Sequence, residues 1–369
     1  MTTLAIDTSI LVTTFRRPSH LELVLQSIAG QQGVPPDFEV IVADDGSDDG
    51  TAESVAAFAR TAEFPVRFTT QPHEGFRLAR VRNNAARLAA GRYLMFLDGD
   101  CVLPSHHLAA HRQRRRSGTA LLGYCGRLSE AASRGLGERG VRGLNLADLV
   151  PPEEARILAR RHRRARWHAV IRHPTKPRLA GGDFGVWRTD FERVNGFDER
   201  FEGWGQEDDD LGLRLRTSGV RLESILDKTC SLHVWHPTDP TATRRWRDGV
   251  NVGYFTRRGR LARCRRGLES RHACDILWGL PRDIAVTALG RRVQALLAGA
   301  SLAPPGAACE IEIVVASSAG RFIRPAECRL LLIEEGMRPD RRLVAQADRS
   351  EVVDLADDAS LAAILETAG

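Results

Sequence analysis

Two groups of polar residues in this sequence have the types and the spacing that a divalent metal ion requires. Asp98 and Asp100 stand two positions apart in the stretch LDGDC, and His233 and His236 stand three positions apart in HVWHP. Mixed carboxylate and imidazole ligands suit Mn²⁺ or Mg²⁺ better than a closed zinc site. We therefore expect Asp98, Asp100 and one or both histidines to bind one of these ions. The sequence leaves open which histidine takes part.

A third group is the run of four carboxylates Glu207–Asp210 in FEGWGQEDDDLGLRL. Acids in the first turn of a helix complement its dipole, which is the structural interpretation of the run. Four like charges repel, however, and crowding raises the pKa of a carboxyl group, which suits a general base. Trp204 precedes the run and offers a flat apolar face to a sugar ring, and its flanking glycines leave the backbone room to approach a substrate.

Two arginines stand at the predicted start of a helix over residues 76–91. Arg77 and Arg80 lie in its first turn, where a positive charge costs roughly 0.3–1 kcal/mol against the helix dipole. An anion bound at the helix start would turn this cost into attraction. We expect a phosphate-bearing ligand there; the alternative is that both side chains point into solvent.

The elements that must position these groups alternate between strand and helix. The predicted strands are ILVTTF (10–15), FEVIVA (38–43), PVRFTT (65–70) and RYLMFLDGD (92–100), and the predicted helices between them cover 19–28, 51–62 and 76–91. This alternation predicts right-handed βαβ units and a mostly parallel sheet. Ligands bind such sheets beyond the carboxyl ends of the strands, so the polar residues that follow the first, second and fourth strands should meet at one edge.

Composition and cysteine use indicate a soluble globular protein. The chain has 369 residues, of which 43% are hydrophobic and 27% charged, and its seven cysteines form no C-x-x-C pair. Scattered cysteines favour reduced thiols in a cytosolic setting. The N-terminus does not resemble a signal peptide, and no apolar run approaches the ~20 residues that span a bilayer. We expect a cytoplasmic location.

The net charge of +6 is concentrated in two arginine-rich stretches, residues 112–116 and 156–178. Their structural interpretation is a solvated helix face, and their functional interpretation is a surface for anionic partners. No helix-turn-helix, RNP or zinc-finger pattern accompanies them, so we rank a phosphate-bearing substrate or peripheral contact with the inner face of the plasma membrane above nucleic acid.

Several of these stretches together resemble a known enzyme family. Residues 9–100 resemble the nucleotide-binding half of family 2 inverting glycosyltransferases with the GT-A fold, and residues 180–236 resemble the galactosyltransferase-type half of chondroitin-polymerase-like and β-1,4-galactosyltransferase-like enzymes. The matching stretches are VTTFRRP, VIVADDGSDDGT, GFRLARVRNNAA, FLDGDC, AGGDFGVWRTDFERVNGFDERFEGWGQEDDDLGLRL and HVWHP.

The resemblance implies a role for each matched residue. The residues expected at the nucleotide-sugar are Thr13, Phe15, Asp44, Asp45, Arg77, Arg80, Arg82, Asn83 and Asp98. Those expected near the acceptor are Trp204, Gly181, Gly182 and Asp183, and the expected metal ligands are Asp98, Asp100, His233 and His236, with a slight preference for His233. Asp208, adjacent to Glu207, is expected to be the catalytic base.

These roles imply a metal-dependent, inverting transfer of a sugar from a nucleotide-diphosphate donor to a hydroxyl of a glycan or lipid-linked glycan, as in surface polysaccharide synthesis. Two other classes stay open as alternatives. A nucleotidyltransferase would use a similar nucleotide and metal site, but it needs no base beside a Trp-Gly wall. A basic nucleic-acid-binding protein would bind with steeply salt-dependent affinity and would not hydrolyse nucleotide-sugars.

The expected domain organisation follows from where the resemblance ends. Residues 1–240 should form the GT-A catalytic domain, with the halves 9–100 and 180–236. Residues 241–300 are expected to form a basic helical extension. The remaining residues 301–369 contain the strand-like segments CEIEIVV and CRLLLIEE, to which the sequence assigns no chemistry.

Overall fold

The computed structural model describes residues 5–139, 141, 146–237, 242–316 and 321–369. The chain divides into two compact units, residues 1–252 and 253–369. The helices are α1 (Pro18–Ala29), α2 (Thr51–Ala59), α3 (Leu78–Leu88), α4 (His107–Arg114), α5 (Glu130–Arg139), α6 (Pro152–Val170), α7 (Arg188–Arg193), α8 (Glu207–Thr217), α9 (Ala242–Asp248), α10 (Asn251–Phe255), α11 (Ala288–Leu296), α12 (Arg341–Gln346) and α13 (Asp358–Thr367).

The strands of the first unit form two sheets. They are β1 (Thr8–Thr14), β2 (Phe38–Asp44), β3 (Val66–Thr70), β4 (Tyr93–Asp98), β5 (Cys101–Val102), β6 (Thr119–Leu122), β7 (Cys125–Arg127), β8 (Asp183–Trp187), β9 (Arg221–Ser224) and β10 (Ser231–His233). Within the described part of the chain, seven of them make the large sheet, in the order β3-β2-β1-β4-β8-β6-β9. The other three make a small sheet in the order β5-β10-β7.

The large sheet is mostly parallel. Strands β3, β2, β1 and β4 run parallel to one another, β8 runs antiparallel to both β4 and β6, and β9 is parallel to β6. Every residue of β1 and β2 is buried, which explains why both strands are continuous apolar runs rather than alternating ones. The predicted α/β fold with a mostly parallel sheet is confirmed.

The helix α1 covers one face of this sheet with its apolar side. Leu21, Val24 and Ile28 recur at helical spacing, are fully buried, and belong to the same core cluster as Ile10 of β1 and Val40 of β2.

The second unit is itself an α/β sheet. Its strands are β11 (Leu277–Gly279), β12 (Ser301–Leu302), β13 (Cys309–Val315), β14 (Ala326–Glu334) and β15 (Arg349–Val353). All of the described pairings are parallel, in the order β12-β11-β13-β14-β15. The strand-like character predicted for CEIEIVV and CRLLLIEE is confirmed by β13 and β14.

The expectation of a helical extension over residues 241–300 needs correction. Helices α9, α10 and α11 lie there, but so does β11, which pairs with β12 and β13 on the far side of residue 300. Trp278 of β11 is fully buried in the core of this sheet, so tertiary packing overrides the local basic pattern. The predicted boundary after residue 240 lies outside the described residues.

Nothing in the described part of the chain is a helix both long enough and apolar enough to cross a membrane.

Candidate active site

The ends of three neighbouring parallel strands meet at one edge of the large sheet. In the register of the sheet, Thr13 of β1 lies opposite Ala43 of β2 on one side and Asp98 of β4 on the other. The Oγ1 of Thr13 donates to Oδ1 of Asp98 over 3.3 Å. The predicted convergence of these polar residues is therefore found in the structure.

Asp98 and Asp100 belong to a turn rather than to one extended strand. The turn joins β4 to β5, and the amide of Gly99 donates to the carbonyl of Thr13 over 2.7 Å. A side chain on Gly99 would approach that carbonyl to 2.7 Å, so the close contact requires glycine. The predicted strand over residues 92–100 therefore ends at Asp98, and the two carboxylates face different partners.

Asp100 faces the two predicted histidines. Its Oδ1 lies 3.6 Å from Nε2 of His233, and its Oδ2 lies 3.4 Å from Nε2 of His236. The pairing of His233 with Cys101 between β10 and β5 brings the distant segment HVWHP beside the turn. Potential ligand atoms of the three side chains lie within 4.8 Å of one another, which fits a shared cation.

The charges around this trio favour an ionised carboxylate. Burial opposes the charged form of Asp100, but His236, His233 and the guanidinium of Arg17 lower its pKa to about 2. Burial lowers the pKa of His233, whereas the contact with Asp100 raises the pKa of His236. Arg17 lies 2.7 Å from Oδ2 of Asp100 and follows β1 directly. The sequence analysis did not single out Arg17, because its distance to Asp100 depends on the sheet order.

Asp98 lies on the other side of the turn and contacts Arg82 of α3. The Nη2 of Arg82 donates to Oδ1 of Asp98 over 3.0 Å, and its Nη1 donates to Oδ1 of Asp208 over 2.6 Å. The side chain of Arg82 is only 1% exposed. Burial, and the nearby charges of Asp100 and Asp208, raise the pKa of Asp98, while Arg82 opposes this shift. Arg82 thus connects the turn to the acidic run.

The four carboxylates at the start of α8 have four different environments. Asp208 contacts Arg82 and keeps 24% of its side chain exposed. Asp209 lies 3.3 Å from Nη1 of Arg178. Asp210 is fully buried and accepts a 2.6 Å bond from Nε of Arg214, one turn along the same helix. Asp208, Asp209 and Asp210 thus each have a cationic partner of their own, which relieves part of the repulsion within the run.

Glu207 is the most confined of the four. Its Oε1 lies 3.9 Å from Nη1 of Arg82, and its Oε2 has no hydrogen-bond partner among the described residues. Burial and the charge of Asp208 raise the pKa of Glu207 to about 8. Glu207 therefore gives up its proton less readily than an exposed glutamate does.

Gly181 and Gly182 lie against the acidic groups without side chains of their own. The amide of Gly181 donates to Oδ2 of Asp208 over 2.9 Å. A Cβ on Gly181 would approach both oxygens of Asp208 to 2.5 Å and Nη2 of Arg82 to 2.4 Å. A Cβ on Gly182 would approach Sγ of Cys125 to 2.7 Å. The glycine pair is thus needed for close approach to the carboxylates.

The side chain of Asp183 does not face this cleft. It is 2% exposed and points toward two buried histidines, His107 and His111, at 3.4 and 3.9 Å. Its predicted place beside the acceptor therefore does not match the structure, because the alternation of side chains along β8 turns it inward.

The predicted nucleotide side of the cleft is built around Asp45. Phe15 stacks on His73 with ring centroids 4.2 Å apart, and Nδ1 of His73 contacts the carbonyl oxygen of Asp45 at 2.9 Å. Gln71 donates to Oδ1 of Asp45 over 2.6 Å. Asp44, in contrast, is 2% exposed and accepts bonds from the turn that follows it, so its role here is structural. The sequence analysis missed both His73 and Gln71, which follow β3.

The other residues predicted at the nucleotide-sugar in this region, Arg77, Arg80 and Asn83, have different partners from Arg82. Arg77 lies 3.4 Å from Glu202 and 3.6 Å from Glu74, and Arg80 lies 3.8 Å from Glu74. Asn83 is fully buried, donates to the carbonyl of Phe197 and accepts from its amide. Arg82 is therefore the one of these four residues whose side chain contacts both Asp98 and Asp208. Arg77 and Arg80, at which a phosphate-bearing ligand is expected, thus lie beside the carboxylates of Glu74 and Glu202.

The predicted sugar-stacking residue Trp204 is 37% exposed and meets Trp246 of α9 edge to face, with centroids 6.0 Å apart. Gln206 adopts a left-handed conformation at φ 72° and donates to the carbonyl of Trp246 over 2.8 Å. Trp246 was not predicted, since the resemblance ends before α9.

Comparison with known proteins finds two matching regions in the chain. Residues 9–120 match "Glycosyl transferase family 2", and residues 162–236 match "N-terminal domain of galactosyltransferase". The first match contains the turns after β1, β2 and β4, and the second contains Gly181, Asp208 and both histidines of the trio.

Individual relatives cover only part of the chain. The validoxylamine A glucosyltransferase of Streptomyces hygroscopicus subsp. limoneus is 33% identical over 237 residues, which is 58% of this chain and 49% of that protein. The chondroitin synthase of Escherichia coli is 24% identical over 230 residues, which is 59% of this chain and 33% of that protein. The chain thus spans about half the length, or less, of these two relatives.

Among solved structures, the mannosyltransferase PcManGT from Pyrobaculum calidifontis, in complex with GDP-Man and Mn²⁺, is similar to 66% of this chain and 61% of its own, with a TM-score of 0.49 and 21% identity.

Proposed function

Since the chain carries a family 2 glycosyltransferase region of GT-A fold, followed by a galactosyltransferase-type region, we propose that it transfers a sugar from a nucleotide-diphosphate donor to a hydroxyl of a glycan or lipid-linked glycan, with inversion at the anomeric carbon. The observation that carries the proposal is the pair of bonds from Arg82 to Asp98 and Asp208. They bring the expected donor side and the expected acceptor side into one cleft.

The donor would lie along the edge formed by β1, β2 and β4. Phe15 and the stacked His73 offer an aromatic surface beside the base, and Asp45 offers a carboxylate to its imide group. We propose a uracil base, whose imide N–H can donate to this carboxylate. Arg17 would attract the negatively charged diphosphate near Asp100.

A divalent ion, Mn²⁺ or Mg²⁺, would be held by Asp100 together with His233 and His236. When bound, such an ion neutralises the charge that develops on a departing diphosphate. Asp98, the other predicted ligand, faces Arg82 in this structure. Each of the two histidines lies within 3.6 Å of Asp100, so we propose that both bind the ion.

Asp208 would act as the general base. One of its oxygens is fixed by Arg82 and the other by the amide of Gly181, yet the carboxylate stays partly exposed. In this role Asp208 removes the proton of the acceptor hydroxyl as that oxygen attacks the anomeric carbon from the face opposite the nucleotide. The adjacent Glu207 is buried and its pKa is raised, which favours the uncharged form of that side chain.

The acceptor would lie between the glycine pair and the indoles. Gly181 and Gly182 leave space above Asp208, and Trp204 with Trp246 offers apolar faces on which a sugar ring can stack. The two alternative classes of function lack this combination of a metal trio, a fixed carboxylate and an indole wall.

The surface of α6 supports an acceptor at a membrane. Along with its arginines, this helix exposes Trp167 (63%) and Val170 (75%). A helix with basic and aromatic exposed residues binds the interface of an anionic bilayer. We infer that the enzyme works peripherally at the inner face of the plasma membrane, in the synthesis of a surface polysaccharide.

The function is tested by incubating the full chain with a panel of UDP- and GDP-sugars and measuring nucleotide release with and without Mn²⁺. We expect release from a subset of the UDP-sugars that depends on the metal ion. The variant Asp100→Ala should lose metal-dependent nucleotide binding in calorimetry, whereas Glu130→Ala, a change on the exposed surface of α5, should bind normally. Release from no sugar, or unchanged Mn²⁺-dependent affinity in Asp100→Ala, would contradict the proposal.

A further inference from the structure

A second group of potential ligands lies inside the first unit, apart from the trio at Asp100. His107, His111 and Asp183 place their ligand atoms within 4.8 Å of one another. The histidine side chains are 0% exposed and that of Asp183 is 2% exposed. Nothing in the proposed transfer reaction uses these three residues.

Helix and strand geometry explain how the group forms. His107 and His111 are four positions apart on α4, so their side chains share one face of the helix. Asp183 is the first residue of β8, and its Oδ1 lies 3.4 Å from Nε2 of His107 and 3.9 Å from Nε2 of His111.

The two ring nitrogens that face Oδ1 of Asp183, and the other oxygen of that carboxylate, lack hydrogen-bond partners. Within the described residues, Nε2 of His107, Nε2 of His111 and Oδ2 of Asp183 make no hydrogen bond. A buried polar atom without a partner costs about 1–3 kcal/mol, and natural interiors contain few of them. Three such atoms in one cluster indicate that a further group belongs among them.

The outer nitrogens of the two rings, in contrast, are satisfied. Nδ1 of His107 lies 2.8 Å from Oγ1 of Thr229, and Nδ1 of His111 lies 3.3 Å from Oη of Tyr93. With each Nδ1–H donating to its hydroxyl oxygen, both Nε2 lone pairs face Asp183. Metal-binding histidines are typically oriented by such a bond from the opposite ring nitrogen.

We propose that His107, His111 and Asp183 bind a Zn²⁺ ion inside the first unit. Two imidazoles and one carboxylate are the protein ligands of zinc sites that keep a fourth position open, and tetrahedral bonds of ~2.0–2.1 Å separate neighbouring ligand atoms by about 3.4 Å. The 3.4 Å separation at His107 has this length, and the 3.9 Å separation at His111 is 0.5 Å longer. The trio at Asp100 has the same ligand types but is partly exposed, as an ion that also meets a diphosphate requires, whereas this group is buried. The dication also compensates the charge of a carboxylate buried from water.

The ion joins helix α4 to the beginning of β8. Asp183 directly follows Gly181 and Gly182, and the amide of Gly181 holds Asp208. The zinc ion therefore has a structural role, in fixing the backbone that supports the cleft. This inference concerns the interior of the unit and does not depend on the proposed reaction.

The experiment measures metal content in the full chain that also carries Asp100→Ala, so that the trio at the cleft is disabled. The protein is produced with added Zn²⁺, dialysed against a weak chelator, and assayed by inductively coupled plasma mass spectrometry. We expect one equivalent of zinc per chain, and at least a tenfold loss in His111→Gln. The matched control is His106→Gln, an exposed histidine next to His107, which should keep its zinc.

A spectroscopic readout covers the case in which His111→Gln does not fold. The Asp100→Ala protein is loaded with Co²⁺, which should give the intense visible absorption of tetrahedral nitrogen and oxygen ligation, and one equivalent of Zn²⁺ should remove it. A protein that retains no zinc and gives no such Co²⁺ spectrum would overturn the proposal. So would a folded His111→Gln variant that keeps a full equivalent, since the zinc would then be bound somewhere other than this cluster.

Discussion

The guanidinium of Arg82 lies 2.6 Å from the carboxylate of Asp208, although 126 positions separate the two residues. The second oxygen of Asp208 accepts from Gly181 over 2.9 Å, so the carboxylate is held at both ends. Arg82 also reaches Asp98 over 3.0 Å. One buried cation thus fixes the relation between the turn after β4 and the start of α8.

The role of Asp208 is tested by Asp208→Asn. The amide keeps the shape of the side chain but cannot take a proton, so we expect transfer to fall by about 10²–10⁴-fold, the usual contribution of a general base. Binding of the nucleotide, measured by calorimetry, should change little. The matched control is Asp209→Asn in the same acidic run, whose partner is Arg178. Turnover retained in Asp208→Asn would refute its assignment as the base.

Replacing Arg82 should affect both stability and turnover. The variant Arg82→Gln leaves two carboxylates without their buried partner, which typically costs ~3–5 kcal/mol in the free energy of unfolding. The control Arg80→Gln removes a 3.8 Å contact between exposed side chains and should cost less than about 0.5 kcal/mol. Denaturant titration of both variants gives the comparison. Equal stability of the two would show that Arg82 is not the cation that organises the cleft.

The close approach of Gly181 predicts an effect of a single methyl group. In Gly181→Ala the new Cβ would meet Asp208 and Arg82 at 2.4–2.5 Å, so one of these side chains must move. We expect kcat to fall at least tenfold with nucleotide affinity nearly unchanged. Gly299→Ala, where a Cβ would meet no atom within 4 Å, is the control. Steady-state kinetics measure kcat of both variants. A Gly181→Ala enzyme with normal kcat would contradict the prediction.

The raised pKa of Glu207 predicts that the stability of the protein depends on pH. Its pKa is raised to about 8 in the folded protein, from about 4.5 in the unfolded chain. Between these two pH values the folded state binds more protons than the unfolded chain. The contribution of Glu207 to stability is therefore fully present below about pH 4.5 and is lost as the pH rises to about 8. The slope is on the order of 1 kcal/mol per pH unit.

The measurement compares the free energy of unfolding of the wild type and Glu207→Gln at several pH values between 5 and 8.5. The difference between the two proteins should shift in favour of Glu207→Gln as the pH rises, because glutamine does not ionise. Parallel curves would show that Glu207 ionises normally in the folded protein.

Charge reversal on α6 tests the membrane surface. The triple variant Arg160→Glu, Arg163→Glu, Arg164→Glu changes exposed side chains, and each lost cation should cost about 1 kcal/mol of binding to anionic lipid. Sedimentation with vesicles containing phosphatidylglycerol measures this. The double reversal Arg341→Glu, Arg342→Glu, also at exposed positions, is the control. Binding that is unaffected by the triple change would remove α6 from the proposal.

Local patterns in the sequence were sufficient for much of the fold of the first unit. The runs that became β1, β2 and β4 are continuous and apolar because both faces of these strands are buried, and that pattern is readable without a structure. The same rule that places ligands at the carboxyl ends of parallel strands led to Thr13 and Asp98. In the second unit β13 and β14 were recognised for the same reason, while β11, with three residues, was too short to show a period.

The sequence by itself determined which chemical groups are available: an Asp-Gly-Asp turn, a pair of histidines and an acidic run. Only the tertiary structure decided their partners. It directed Asp208 to Arg82 and Asp100 to His233 and His236, and it turned Asp183 inward to His107. Burial and ion pairing depend on which elements pack together, and that packing brings together residues more than a hundred positions apart, whereas local spacing reports only on neighbours along the chain.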